Sequence, residues 1–132
     1  MSEENVEIVR SLFAAFGRGL DAAAEYWHPE IEWRAIEGAP DDVGTMHGRD
    51  AVRNYYEQWY ETFDGLRAQP DELTDAGDQV IAAVHVTGRM KESDAEIDMR
   101  LGIVYTLEEG KIVRGGEYAT HQEAFQAAGL SE

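Results

Sequence analysis

The chain has no cysteine, which excludes disulfides, thiolate metal ligands and a cysteine nucleophile. Positive charge is scarce: Lys+Arg 11 against Asp+Glu 27 gives a formal net charge of -16. A field of that sign opposes binding to phosphate backbones and anionic lipid, so neither nucleic acid nor a membrane is an expected partner. No apolar run approaches membrane-spanning length. The opening Met1-Ser2-Glu3-Glu4-Asn5 is acidic where a secretory signal would be basic and then apolar, so the expected location is the cytoplasm. The histidines, His28, His47, His85 and His121, form no helical pair around a glutamate, and His121-Gln122-Glu123 lacks the cysteines of a zinc deaminase. No glycine-rich phosphate loop follows a strand, and nothing supports a serine triad. The expectation is no metal and no cofactor.

What is present fits one compact core. With 132 residues and 43% hydrophobic content, a single domain over 1–132 is expected. Val6, Val9, Leu12, Phe13 and Phe16 fall on one face of a first helix that Ser2 can cap and that Gly17 and Gly19 end. A short helix from Asp21 to Trp27 stops before Pro29. Ile31, Trp33 and Ala35 then alternate with Glu32 and Arg34 as a half-buried strand does. Residues 37–48, with Gly38, Pro40, Gly44 and Gly48, read as a long loop. From Arg49 to Phe63, Val52, Tyr55, Tyr56, Trp59 and Phe63 recur at helical spacing, an aromatic stripe to lay on a sheet.

The second half reads as strands. Leu66 to Leu73 is an edge strand, because Pro70 would remove a ladder bond from a central one. Turns at Asp75–Asp78, Glu92–Asp94 and Glu108–Gly110 separate runs rich in Val, Ile and Tyr, giving two long antiparallel hairpins. Gly115-Gly116 marks a bulge or a close helix approach. Thr120-His121-Gln122-Glu123 fits a capping box opening a final helix over Gln122–Ala128. Helices first and a meander afterwards indicate an α+β domain. Glu117, the one carboxylate on the last strand, stands where a sheet can point it into an enclosed space.

The order of these elements resembles SnoaL-like proteins of the NTF2-like superfamily. The likeness rests on His28-Pro29-Glu30-Ile31-Glu32-Trp33, on Gly48 before the aromatic helix, on Gly110-Lys111-Ile112-Val113 through Tyr118, and on the tail Glu123 to Leu130. It implies a cone, a curved antiparallel sheet wrapped on three N-terminal helices with a short C-terminal helix. It also implies an internal pocket and often a homodimer through the sheet. Relatives include polyketide cyclases, ketosteroid isomerase, limonene epoxide hydrolase and scytalone dehydratase, besides non-catalytic members, so the fold alone does not choose a reaction. The implied pocket involves Trp33, Tyr56, Trp59, Met99, Arg100, Ile103 and Tyr105, around a small apolar or polycyclic ligand. Glu117 falls where cyclase and epoxide-hydrolase relatives carry a pocket aspartate, and His85 near another polar pocket position. Key aspartates are missing, however: the isomerase's base corresponds to Arg34 or Ala35, its protonated aspartate to the vicinity of Ile103, and its tyrosine to Phe13 or Phe16. The Asp98 and Arg100 pair does not reproduce the epoxide-hydrolase arrangement.

Hairpins turning between Ser93 and Asp94, and between Glu109 and Gly110, would set both His85 and Glu117 opposite Gly102 on one face, with backbones about 9.6 Å apart. A one-residue slip in either hairpin separates them. Such a pair would do proton transfer, the enclosed carboxylate raised by desolvation and the histidine relaying or orienting. One reading is therefore a cofactor-independent cyclase, isomerase, dehydratase or hydrolase using Glu117 and His85. The other is a non-catalytic binding or dimerisation module with a narrow or filled pocket. In that reading Glu117 is solvated or paired with Arg114 or Arg100, His85 is structural, and Tyr55, Tyr56 and Trp59 are core.

Overall fold

The computed structural model describes residues 2–36 and 44–129. Helix α1 (Ser2–Phe16) and the single-turn α2 (Leu20–Ala24) precede strand β1 (Trp27–Arg34), and the short β2 (Thr45–His47) returns along β1. Helix α3 (Arg49–Thr62) carries the aromatic stripe, and β3 (Phe63–Ala76), β4 (Gln79–Met90), β5 (Glu96–Glu108) and β6 (Lys111–Tyr118) follow as a meander closed by α4 (His121–Ala127). Most of the expected loop, residues 37–43 with Gly38 and Pro40, lies outside the described residues, while Thr45–His47 is strand. None of the described helices is long and apolar enough to cross a membrane.

The strand order is β2-β1-β6-β5-β4-β3. The sheet is mixed rather than antiparallel throughout, because β1 runs parallel to β6 across its centre. That follows from chain order: β1 is made before the meander and its neighbour only at the end, so the connection is a crossover and not a hairpin. As expected, β3 is an edge, and its ladder shifts register between Pro70 and Glu72, where proline withholds a donor.

Cross-strand register assigns the two faces. The inner rows run Trp33–Gly115–Tyr105–Val80, Glu117–Ile103–Ala82–Leu73 and Leu101–Val84–Pro70. Against them pack Val9, Leu12, Val52, Tyr55 and Trp59 from α1 and α3 in the main core. The outer face is polar except where α4 rests, at Ile81, Val104 and Ala124. Gly102 makes that contact possible, since a Cβ there would lie 2.7 Å from Ala124 Cβ and 2.8 Å from the Thr120 carbonyl. Thr120 caps α4, its hydroxyl accepting from the Glu123 N–H at 3.0 Å.

Two features set the position of β6. The second hairpin turns at Glu109-Gly110 as expected, pairing Glu108 with Lys111 and Leu107 with Ile112. The next residue back, Thr106, pairs with Arg114, leaving Val113 as an extra residue, a β-bulge. Beyond the bulge every β6 side chain is on the opposite face from the one an unbroken ladder would give, so Glu117 faces Ile103 inside and Tyr118 faces Gly102 outside. Gly115-Gly116 is thus not itself the bulge. Gly115 does mark a close approach, of an indole and not of a helix: a Cβ there would stand 2.0 Å from the Trp33 ring.

Candidate functional site

Glu117 is the one buried charged residue among those described, with 6% of its surface exposed. Three elements converge on it. The Trp33 indole, lying in the space over Gly115, donates from Nε1 to Oε2 at 3.0 Å. The Ile36 backbone N–H, just past β1, donates to Oε1 at 3.0 Å. Successive residues of α3 supply two hydroxyls, Tyr55 to Oε1 at 2.6 Å and Tyr56 to Oε2 at 3.5 Å. The last is at the limit of a hydrogen bond, which leaves Oε2 the oxygen with spare accepting capacity.

Among the described residues no cation reaches this carboxylate. Arg114 pairs with Glu32 at 3.8 Å and Arg100 with Asp71 at 3.4 Å, both on the outer face, so the reading in which Glu117 is solvated beside one of them is corrected. Burial pushes the Glu117 carboxyl above its ordinary range; the hydrogen bonds from Tyr55, Ile36, Trp33 and Tyr56 pull it down less strongly. Burial first, and the Glu117 charge second, also raise Tyr55, Tyr56 and Tyr105, which keeps their hydroxyls in the neutral donor form.

Glu117 lines a cavity of about 80 Å³. Tyr56, Trp59, Ile103 and Tyr105 line it, with Phe13 and Phe16 of α1 and Leu66, Val84, Val86 and Leu101 completing apolar walls. Trp33 stands behind Glu117 as its donor. Met99, on an inner row, is packed against the core without lining the cavity. Arg100 points the other way and is exposed, a consequence of strand alternation.

His85 does not meet Glu117. The first hairpin turns one residue earlier than expected, between Glu92 and Ser93, which shifts its pairings by two, so His85 faces Arg100, and Gly102 faces Ala83. A shift of two keeps His85 on its face; the Val113 bulge sends Glu117 to the other. On the outer face His85 Nε2 lies 2.7 Å from Asp98 Oδ1, and the anticipated Asp98–Arg100 pair gives way to this contact and to Arg100–Asp71. Sequence reasoning missed the Ile36 N–H and assigned Tyr55 to the core only. The retrievable signal was Gly115, two residues before an inward carboxylate, where an aromatic ring needed room. Among the described residues no three of His, Asp or Glu are grouped to hold a metal.

The SnoaL-like domain family matches residues 9–115. The chain belongs to the SnoaL-like family. An NTF2-like protein of Burkholderia thailandensis is 27% identical, over 92% of this chain and 95% of that one, with a TM-score of 0.76. A protein of Catenulispora acidiphila with a ketosteroid isomerase-like fold, solved with trimethylamine, is 17% identical over 94% and 93%, TM-score 0.74. TerC, co-crystallised with polyporic acid, is 20% identical over 95% and 97%, TM-score 0.77. The latter two likenesses concern the fold of the SnoaL-like chain. No curated protein matches it.

Proposed function

We propose that this SnoaL-like protein is a cofactor-independent acid/base enzyme that binds a small, mostly apolar molecule in its cone and uses Glu117 to move a proton. The observation that carries the reading is a buried carboxyl with no cationic partner among the described residues, raised by desolvation above its ordinary range and lining an apolar cavity. A protonated Glu117 fits its surroundings: each oxygen keeps a lone pair for its N–H donor while the acid proton points to Tyr56, whose hydroxyl can turn and accept, or into the cavity. His85 has no part in this reading. The bound trimethylamine and polyporic acid of fold relatives support a small-molecule cavity by analogy only.

A non-catalytic binding module is the second reading, favoured by the narrowness of the cavity. Proton transfer separates the two without knowledge of the net reaction. Small ketones, lactones and epoxides are incubated with the protein in D₂O and followed by NMR for deuterium uptake at carbon. Uptake that is lost in Glu117→Ala supports the enzyme; binding without uptake, or uptake that survives Glu117→Ala, rejects it. A cytoplasmic homodimer formed through the sheet belongs to the same proposal, and light scattering of the purified chain measures its mass.

A further inference from the structure

The polar groups around the cavity are not all committed. Tyr55 and Tyr56 give their hydroxyls to Glu117, and Tyr60, also on the lining, is exposed. Tyr105 is different. It is 2% exposed and lines the cavity, yet no hydrogen-bond partner of its hydroxyl occurs among the described residues. Its ring meets Phe13 edge-on at 6.2 Å and Trp33 at a tilt at 5.8 Å, so the hydroxyl cannot swing to solvent without breaking both contacts. Nor is the oxygen sealed off: the one enclosed, unpartnered side-chain nitrogen or oxygen among the described residues is Nε2 of His121. The Tyr105 hydroxyl therefore opens on the cavity with its donor unspent.

Its position relative to Glu117 follows from the register. Tyr105 faces Gly115 and Glu117 faces Ile103, so the two are diagonal neighbours on the inner face, with backbones about 7–8 Å apart. A buried hydroxyl without a partner is costly, and that cost disappears when something in the cavity accepts from it. The walls between are apolar, which leaves room for one polar atom of the ligand here and carbon elsewhere.

We propose that Tyr105 anchors the ligand by donating a hydrogen bond to a single acceptor oxygen, such as a carbonyl, of a small and otherwise apolar molecule seated against Glu117. The inference rests on the ligand cavity proposed above and adds the class of ligand. Orientation follows: with the oxygen fixed at Tyr105, the neighbouring atoms of the ligand lie toward Oε2, the less saturated oxygen of Glu117.

Cyclopentanone and methylenecyclopentane, which differ by oxygen against CH₂, make the test. The ratio of ketone to hydrocarbon affinity, read by ligand-observed NMR titration, is expected to be about 3- to 10-fold higher in wild type than in Tyr105→Phe, the worth of one neutral hydrogen bond. Tyr105→Phe should lose that factor from the ketone alone while keeping the affinity for the hydrocarbon within about twofold, and its thermal midpoint should not fall, because no internal bond is lost. A ratio that is unchanged in Tyr105→Phe, or a lowered midpoint, overturns the anchor. If wild type binds neither probe, the ligand cavity itself is refuted, whereas binding of both with an unchanged ratio refutes only Tyr105.

Discussion

The two faces of one sheet carry acids in opposite circumstances. On the inner face Glu117 has 6% of its surface exposed and, among the described residues, four donors and no cation. On the outer face the Asp98 side chain is 71% exposed and touches His85 at 2.7 Å. The second is the arrangement a search for an acid/base pair would select, an ionisable dyad at hydrogen-bond distance. It is also the one water screens. Proximity of two titratable groups is therefore a weaker sign of a site than desolvation of one.

The glycine pair of β6 gives the largest contrast, because its two members face opposite sides. Gly115→Ala puts a Cβ 2.0 Å from the fully buried Trp33 ring, which has no room to retreat and whose Nε1 holds Glu117. A loss above about 3 kcal/mol is expected, or failure to fold, beyond ordinary overpacking. Gly116→Ala meets only the Tyr118 side chain, at 3.2 Å, and should stay within about 1 kcal/mol of wild type. Urea denaturation of the two variants checks this; equal effects would mean that Trp33 is not pinned over Gly115.

Next in size is Glu117→Gln, usually a mild change. Here each carboxylate oxygen accepts from an N–H that cannot turn round, Trp33 Nε1 and Ile36 N. Whichever way the amide is flipped, its NH₂ faces one of them, so a loss of about 1–3 kcal/mol is expected. Trp33→Phe removes one of the fixed donors. The cost of Glu117→Gln should then shrink in the Trp33→Phe background, and a double-mutant cycle measures the coupling. Additive losses would contradict the donor geometry.

Much of the fold was legible: the helical stripe of α3, the edge strand at Pro70, the three turns and the Thr120 cap all follow from local patterns that tertiary contacts do not override. The inner face of β6 was not. A period of two propagates any register error along a whole strand, and the Val113 bulge is an insertion of one residue without a glycine or proline to announce it. His85 and Gly102 were rightly put on one face; Glu117 was placed with them because the ladder was read as unbroken. Glu117 as the polar group of an enclosed space was legible from its isolation, but its donors were not, since the Ile36 N–H comes from backbone and Trp33 reaches across a glycine.

The inner carboxyl should also make the stability of the fold pH-sensitive. Its folded pKa is raised above the ordinary 4.5, so the folded state binds the proton more tightly than the unfolded chain does. The stabilisation this brings is complete below pH 4.5 and is lost as pH rises through the folded value. Relative to Glu117→Gln, whose amide does not titrate, wild-type stability should fall with pH over that window, by at most about 1.4 kcal/mol per unit. The other acids are common to both proteins and cancel. A difference that is flat, or that rises, would mean that the four donors outweigh burial.

The smallest effect belongs to the outer face, and it is the sharpest check on the choice between the two. His85→Gln and Asp98→Asn each remove a group from a contact whose acid is mostly in water, so each should change stability by no more than about 1 kcal/mol. Neither side chain lines the cavity. Affinity for cyclopentanone and any Glu117-dependent deuterium uptake should therefore be unchanged in both. A loss of uptake in His85→Gln with ligand affinity intact would return the proton-transfer role to the outer face. It would also require a route through the sheet from Asp98 to Glu117, which the alternation of side chains about β5 opposes.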